Sequence, residues 1–534
     1  MYDIIFFADI AYAEMCSRSY AVHRLATDLR AIGYKVLCVH YCSTLTYDKY
    51  LEILDSAIGN NTLVVGFSTT WFPYKQTYAK LANNSRDINR NTSTYCEYTQ
   101  EETPWFFESL SWNFTQHSTK PWIDAIKERN SNVKVVVGGT KAGQHAEDPN
   151  IDHVVIGLGD TMMLDLVRAV STGKPMEKVL DYDNTAQKDP NWDFKDSSTK
   201  YIPEDLVLPT EYLGIEFSRG CIFKCAFCSF PLIGQSHTRE YVKYKNIIYN
   251  ELLENYEKWG IKRYFIIDDT FNDSVEKLQM IKEVVDMLPF KPSFWAYVRI
   301  DLIGSHPEMA QLMLDIGIEE VNYGLETLKE ETGRLINKGN PKMKKLGLKI
   351  AREVWGDRVR VTVNYILGLP KESSKDIKDA VDWYISEGHK YIDRFYFNTL
   401  TLSAKIVDKY ASVSELERNK EKFGYKLDPI ESDPLNWTKD DGTDITHRSQ
   451  CIEMESRYQA VVQAVEHHYE NLWHMSVFSI LDDRFGYDVI RDNMTLHEYR
   501  DTFFLKKKTT DYYKQLVDEH YWPKLFDLLK RSSV

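Results

Sequence analysis

The sequence predicts an α/β chain in three parts: two successive regions of alternating strand and helix, then a mainly helical region. Three observations carry this. Short runs of β-branched and aromatic residues alternate with amphipathic stretches up to about residue 175, and again from about 212 to 402. A polar, aperiodic stretch at 181–204 separates the two alternations. Beyond about 403 the strand pattern stops, and aromatic-rich helical sequence follows, with clusters such as His467-His468-Tyr469 and Tyr521-Trp522. At roughly 150 residues per domain, the 534 residues divide into 1–180, a linker 181–210, 211–402, and 403–534.

In the first region, strands are expected at 3–7, 36–39, 63–67, 133–137 and 153–156. Each is an apolar run of strand length with no polar alternation, the pattern of a parallel sheet buried on both faces. Helices are expected at 19–32, 46–58, 122–128 and 161–170, where apolar residues recur at helical spacing; Gly33 closes the first. Residues 72–120 form a polar, aromatic insertion without steady period. A connection of that length inside a compact domain is usually a functional loop or lid.

The second region gives strands at 212–217, 264–268, 294–298, 320–323, 361–366 and 395–398, separated by helices at 239–258, 274–287, 307–316, 343–354 and 375–387. Six βα units are too few for a closed eight-stranded barrel and suit an open, partial (β/α)6 barrel. Its reactive groups then belong on loops at the C-terminal ends of the strands.

Composition excludes several function classes. With 66 Lys+Arg against 79 Asp+Glu the net charge is −13, which opposes sequence-independent nucleic-acid binding. No apolar stretch approaches the roughly 18 residues of a membrane span. The N-terminal Ile4-Ile5-Phe6-Phe7 run, between Asp3 and Asp9 and without a basic flank, reads as a buried strand and not a signal peptide. Eight cysteines are too sparse for a disulfide scaffold, so a reducing cytoplasm is the expected location.

Five cysteines are dispersed (Cys16, Cys38, Cys42, Cys96, Cys451), whereas Cys221, Cys225 and Cys228 fall within eight residues directly after the first strand of the second region. Three thiolates on one loop can converge on a metal centre. A structural zinc site would want a fourth Cys or His close by, and His237 is the nearest. A cubane iron–sulfur cluster held by three cysteines keeps one iron open to a ligand.

The segment Cys221-Ile222-Phe223-Lys224-Cys225-Ala226-Phe227-Cys228 resembles the cluster motif of the radical SAM superfamily, including Phe227 before the last cysteine. The resemblance continues over about 212–402. Ile266-Ile267-Asp268-Asp269-Thr270-Phe271 is similar to the second-strand motif, and implies that Asp268 and Asp269 lie near the amino group of S-adenosylmethionine. Arg299 stands where a third-strand polar residue reaches the cofactor, or it forms an ion pair with Asp301. Tyr323-Gly324-Leu325-Glu326 is similar to the fourth-strand motif, implying a ribose or methionyl contact for Glu326. Asn364-Tyr365-Ile366-Leu367-Gly368 resembles the fifth-strand segment along the adenine, implicating Asn364, Ile366 and Gly368.

The resemblance implies a [4Fe–4S] cluster on the three cysteines, with S-adenosylmethionine cleaved reductively to a 5′-deoxyadenosyl radical that abstracts hydrogen. It also implies a one-electron donor such as flavodoxin or ferredoxin, and a small-molecule substrate. No residue is assigned a further catalytic role. The N-terminal region is similar to Rossmann-like, cobalamin-binding-type domains in Val64-Val65-Gly66-Phe67-Ser68, Val135-Val136-Val137-Gly138-Gly139-Thr140 and Val154-Val155-Ile156-Gly157. Ser68, Gly138, Gly139 and Gly157 are the residues this implies for cobalamin. The Asp-x-His-x-x-Gly segment that supplies a cobalt-ligating histidine in many such domains is absent from Ala8-Asp9-Ile10-Ala11-Tyr12-Ala13-Glu14; His23 and His40 read as structural. Two outcomes stay open: cobalamin-type methyl transfer to an unactivated carbon, or oxidation, cyclisation or rearrangement with a cobalamin-free domain.

Overall fold

A computed structural model describes residues 1–9, 18–42, 45–69, 120–139, 142–181, 193–208, 211–229, 241–402, 414–428, 436–463 and 517–532. The expected insertion at 72–120, the loop following Asp9, Cys16, Cys96, His237 and the cluster at 467–469 lie outside them.

The first sheet contains β1 (Ile4–Phe7), β2 (Val36–Val39), β3 (Val64–Ser68), β4 (Lys134–Gly138), β5 (His153–Ile156) and β6 (Val179–Asp181), all parallel, in the order β2-β1-β3-β4-β5-β6. Both faces are buried. Ile5 and Phe7 join one apolar core with the helices Tyr47–Ala57 and Lys120–Arg129, while Ile4 and Phe6 join a second with Tyr20–Ala31 and Gly159–Thr172. That is why the strands read as unbroken apolar runs. β6 is a three-residue edge strand where the sequence suggested the start of a linker, too short to show a period.

The second sheet contains β7 (Leu213–Ile215), β8 (Arg263–Ile266), β9 (Ser293–Val298), β10 (Ile318–Glu326), β11 (Arg360–Leu367) and β12 (Arg394–Thr399), parallel and in sequence order. One face is uniformly apolar; the other mixes polar side chains with an aromatic cluster of Phe265, Trp295 and Tyr297. Val361, Val363, Tyr365 and Leu367 of β11 pack with the surrounding helices in a single core, whereas Thr362, Asn364 and Ile366 alternate with them onto the other face. An open barrel with helices outside and a mixed polar and aromatic interior satisfies this pattern.

Three local expectations are corrected. The helix expected at 239–258 is described as Lys245–Trp259, because Tyr241 and Lys243 instead pair with the Phe217–Arg219 backbone. The C-terminal region contains an antiparallel hairpin, β13 (Tyr425–Leu427) and β14 (Trp437–Lys439). It also divides between two cores: Leu416, Trp437 and Cys451 pack on the barrel, while Tyr521, Trp522 and Leu525 pack into the first domain. Among the described residues no helix is long and apolar enough to cross a membrane.

Candidate active site

Loop 216–228 leaves β7 and is anchored from several directions. Asp268 accepts hydrogen bonds from the Phe217 and Ser218 amides at 2.8 and 3.1 Å and from the Ser218 hydroxyl at 2.6 Å. Lys277 pairs with Asp268 at 2.8 Å and donates to Ser218 Oγ and the Thr270 carbonyl. Further along, the Ala226 amide donates to the Ile336 carbonyl at 2.9 Å, Asn337 Nδ2 to the Lys224 carbonyl at 3.1 Å, and the Leu416 amide to the Ala226 carbonyl at 2.8 Å. Gly220, at φ +89°, makes the turn into the cysteines.

Cys221 and Cys225 are buried and Cys228 is half-buried; none is in a disulfide. Cys221 Sγ lies 3.3 Å from Thr270 Oγ1, and burial pushes its thiol up. Three free thiols on one short loop are the donor set of a cubane cluster that keeps one iron open to a ligand.

The strand-end residues fall around this loop. Arg299 holds Asp301 through Nε and Nη2 at 3.1 and 2.6 Å, lies 4.0 Å over the Phe223 ring, and directs Nη1 at Cys225 Sγ, 3.8 Å away. The ion pair with Asp301 and proximity to the cysteine are thus both real. Asp269 is partly buried, and burial together with the Asp268 and Glu216 carboxylates raises its pKa to about 6. Glu326 is buried at φ +61° with its carboxylate 3.6 Å from Lys338 Nζ; burial raises its pKa. Lys338 also lies over the Phe227 ring at 5.7 Å.

Other expectations change on inspection of contacts. The Asp268 oxygens are engaged by the cluster loop and Lys277, so Asp268 buttresses the loop. Gly368, at φ +93°, has no room on its Cα, since a β-carbon would meet Trp437 Cη2 at 2.7 Å and Cys451 Sγ at 2.9 Å. It is a packing position for the hairpin, with only its neighbours Asn364 and Ile366 on the barrel interior. Asn364 sits in a carboxamide ladder, donating to Asn322 at 2.6 Å and accepting from Asn398 at 3.1 Å.

Lys338, Lys344 and Asn337 were not signalled by the sequence. Lys344 is fully buried and donates to the Leu325 and Thr327 carbonyls at 2.8 and 3.0 Å. Burial and the nearby Lys338 charge lower its pKa to about 7. A lysine on the apolar face of an amphipathic helix was its only signal.

In the first domain Ser68 pairs across to Gly138, with Gly139 following and Gly157 just beyond β5, so all four lie along one strand-end edge. Among the described residues a β-carbon on Gly138 would meet only Val155, at 3.9 Å. His23 and His40 are fully buried and stacked, ring centroids 4.6 Å apart. The edge connects to the cluster loop through Arg219, whose Nη1 meets Asp160 at 2.7 Å while Nε and Nη2 meet Glu216 at 2.8 and 2.9 Å. Asp160 lies in the first turn of the helix that follows Gly157.

Residues 215–384 match the radical SAM superfamily. The barrel is a radical SAM domain. A radical SAM domain implies a [4Fe–4S] cluster and S-adenosylmethionine, and makes this chain an enzyme. An uncharacterized methyltransferase of Pyrococcus horikoshii is 26% identical over 274 residues, 48% of this chain and 58% of the relative. The chain therefore matches little more than half of that protein's length. Among solved structures, the radical S-adenosylmethionine methyltransferase TsrM from Kitasatospora setae, with cobalamin and a [4Fe–4S] cluster bound, aligns over 82% of each chain at 15% identity and TM-score 0.54. The cobalamin-dependent S-adenosylmethionine radical enzyme OxsB, with aqua-cobalamin bound, aligns over 100% of this chain and 84% of its own at 12% identity and TM-score 0.54. The chain thus shares with both a fold extending beyond the barrel.

Proposed function

We propose that this radical SAM enzyme is a cobalamin-dependent methyltransferase acting on an unactivated carbon of a small molecule. The observation that carries the reading is the Arg219–Asp160 ion pair at 2.7 Å. It joins the loop bearing the three cysteines to the helix that begins beside Gly157, so the two candidate cofactor loops are parts of one assembly. The structural neighbours solved with cobalamin bound, and the resemblance to an uncharacterized methyltransferase, support it.

In this reading Cys221, Cys225 and Cys228 hold the cluster, and Glu326, Asp269 and the Asn364–Ile366 segment hold S-adenosylmethionine. Ser68, Gly138, Gly139 and Gly157 would receive a corrinoid without a protein imidazole. The bound cofactors supply reductive cleavage of the sulfonium bond and a methyl carrier. The chain's own residues bind, orient and exclude water: the apolar strand faces and the covering hairpin close the outside of the barrel, and the anchors at Asp268, Ile336 and Leu416 fix the loop. A flavodoxin or ferredoxin would deliver the electron, in a reducing cytoplasm consistent with the free thiols.

Anaerobic purification followed by iron and cobalt analysis, with dithionite and S-adenosylmethionine, tests this. Cobalt in the protein and production of S-adenosylhomocysteine are expected. Deoxyadenosine without cobalt or S-adenosylhomocysteine would replace methyl transfer by radical oxidation, cyclisation or rearrangement. Cys225→Ala should lose both the cluster absorbance and deoxyadenosine formation; retention of both would refute the cluster assignment.

A further inference from the structure

Arg299 is more firmly held than a cofactor contact requires. Its backbone N–H donates to Asn272 Oδ1 at 2.7 Å, and its carbonyl accepts from Asn272 Nδ2 at 2.9 Å. Two of its side-chain nitrogens are fixed by Asp301, and the Phe223 ring covers its face. Gly339, at φ +70°, brings the 336–339 turn down onto the pair, where a β-carbon would stand 3.0 Å from Asp301 Cγ and 3.2 Å from Arg299 Nη2. Asn272, Asp301, Phe223 and Gly339 together leave Nη1 aimed at Cys225 Sγ, in a site where Arg299 is 5% exposed.

We propose that Arg299 sets the reduction potential of the cluster through a charge-assisted N–H···S hydrogen bond to Cys225, and that Asp301 is the counter-charge limiting its effect. Hydrogen bonds to ligating sulfurs, net charge and solvent exposure are the protein's means of tuning such clusters. Reduction adds one electron to the cluster. A donor and positive charge beside a ligating sulfur favour the reduced form, and a neighbouring carboxylate opposes it. The inference rests on the cluster assignment to Cys221, Cys225 and Cys228 and is independent of cobalamin.

The test is a redox titration of the anaerobically reconstituted full chain, without S-adenosylmethionine, followed by the paramagnetic signal of the reduced cluster, with iron counted in each sample. Arg299→Met removes donor and charge together, and should lower the reduced-to-oxidised ratio at fixed potential at least tenfold, which is 59 mV for a one-electron couple. Asp301→Asn removes the counter-charge, and should shift the potential in the opposite direction. Arg299→Lys keeps the charge but not the planar fork, and should restore part of the loss.

A merely structural role would move Arg299→Met and Asp301→Asn the same way. That result overturns the proposal, as does a full-iron Arg299→Met protein with unchanged potential. If Arg299→Met does not retain iron, the sign of the Asp301→Asn shift decides. A wild-type chain that binds no cluster refutes the cluster assignment itself, and this inference with it.

Discussion

Gly324→Ala should impair S-adenosylmethionine binding while leaving the fold nearly intact. Gly324 lies in β10 outside the left-handed region, so alanine is compatible with its backbone. The obstacle is lateral. A β-carbon there overlaps Glu326 Oε1, stands 2.8 Å from its Cδ and 3.1 Å from Lys338 Nζ. Carbon pairs normally rest at about 3.5–4.0 Å, so the carboxyl must swing by about 1 Å and give up its approach to Lys338. Because the displaced atoms end a side chain, stability should change by less than about 1 kcal/mol. If Glu326 makes a charge-assisted hydrogen bond to the cofactor, losing it costs about 1.5–3 kcal/mol, or about 10- to 150-fold in affinity. Calorimetric titration of S-adenosylmethionine into reconstituted protein measures this, with iron content and thermal unfolding as controls. Glu326→Ala should show the same loss, and the double variant little more than either alone. Wild-type affinity in Gly324→Ala, beside a loss in Glu326→Ala, would refute the steric argument; wild-type affinity in both would remove Glu326 from the site.

Gly347→Ala should do the reverse, because its β-carbon overlaps the Ile300 carbonyl oxygen and stands 2.9 Å from the carbonyl carbon. Backbone cannot swing aside, so a cost of about 1–3 kcal/mol should appear as a lowered unfolding temperature of iron-loaded protein. Arg219→Met strands the nearly buried Glu216 carboxylate and leaves Asp160 to Arg24 alone, 3.6 Å away, a loss of about 3–5 kcal/mol for the broken pair; hydrogen exchange should rise around both 159–172 and the cluster loop. His23 and His40 are held neutral, their pKa values pushed well down chiefly by burial, then by Arg18 at His23 and by the neighbouring His23 at His40. Unfolded histidine titrates near about 6.5, so the unfolded state gains protons first and stability falls as pH drops below that. The slope approaches about 1.4 kcal/mol per pH unit for each histidine, and His40→Phe should flatten it in denaturant titrations at pH 7 and pH 5.

The sequence by itself determined the two α/β regions and the chemistry of the loop between β7 and the following helix. Unbroken apolar runs such as Ile4–Phe7 follow from burial on both faces, and the alternation along β11 from burial on one. These are local consequences of solvent exposure, so they are written into neighbouring residues. The cysteine triad is likewise local, since one loop carries all three ligands.

What only the tertiary structure decided lies between distant segments. Asp268 and Asp269 are adjacent in the loop after β8, yet Asp268 is engaged by Ser218 and Lys277 while Asp269 lies against the Asp268 and Glu216 carboxylates, contacts set by segments far away in sequence. Gly324 and Gly368 look alike as strand-end glycines. One clears space for Glu326 and the other for Trp437, which lies on a hairpin with no sequence period. Lys338, Lys344 and Asn337 enter the site only because the turn after Leu335 folds over the cysteine loop. The division of the C-terminal region between two cores has the same origin: burial is local in space, and the chain returns to the first domain at Tyr521 and Trp522 after leaving the barrel.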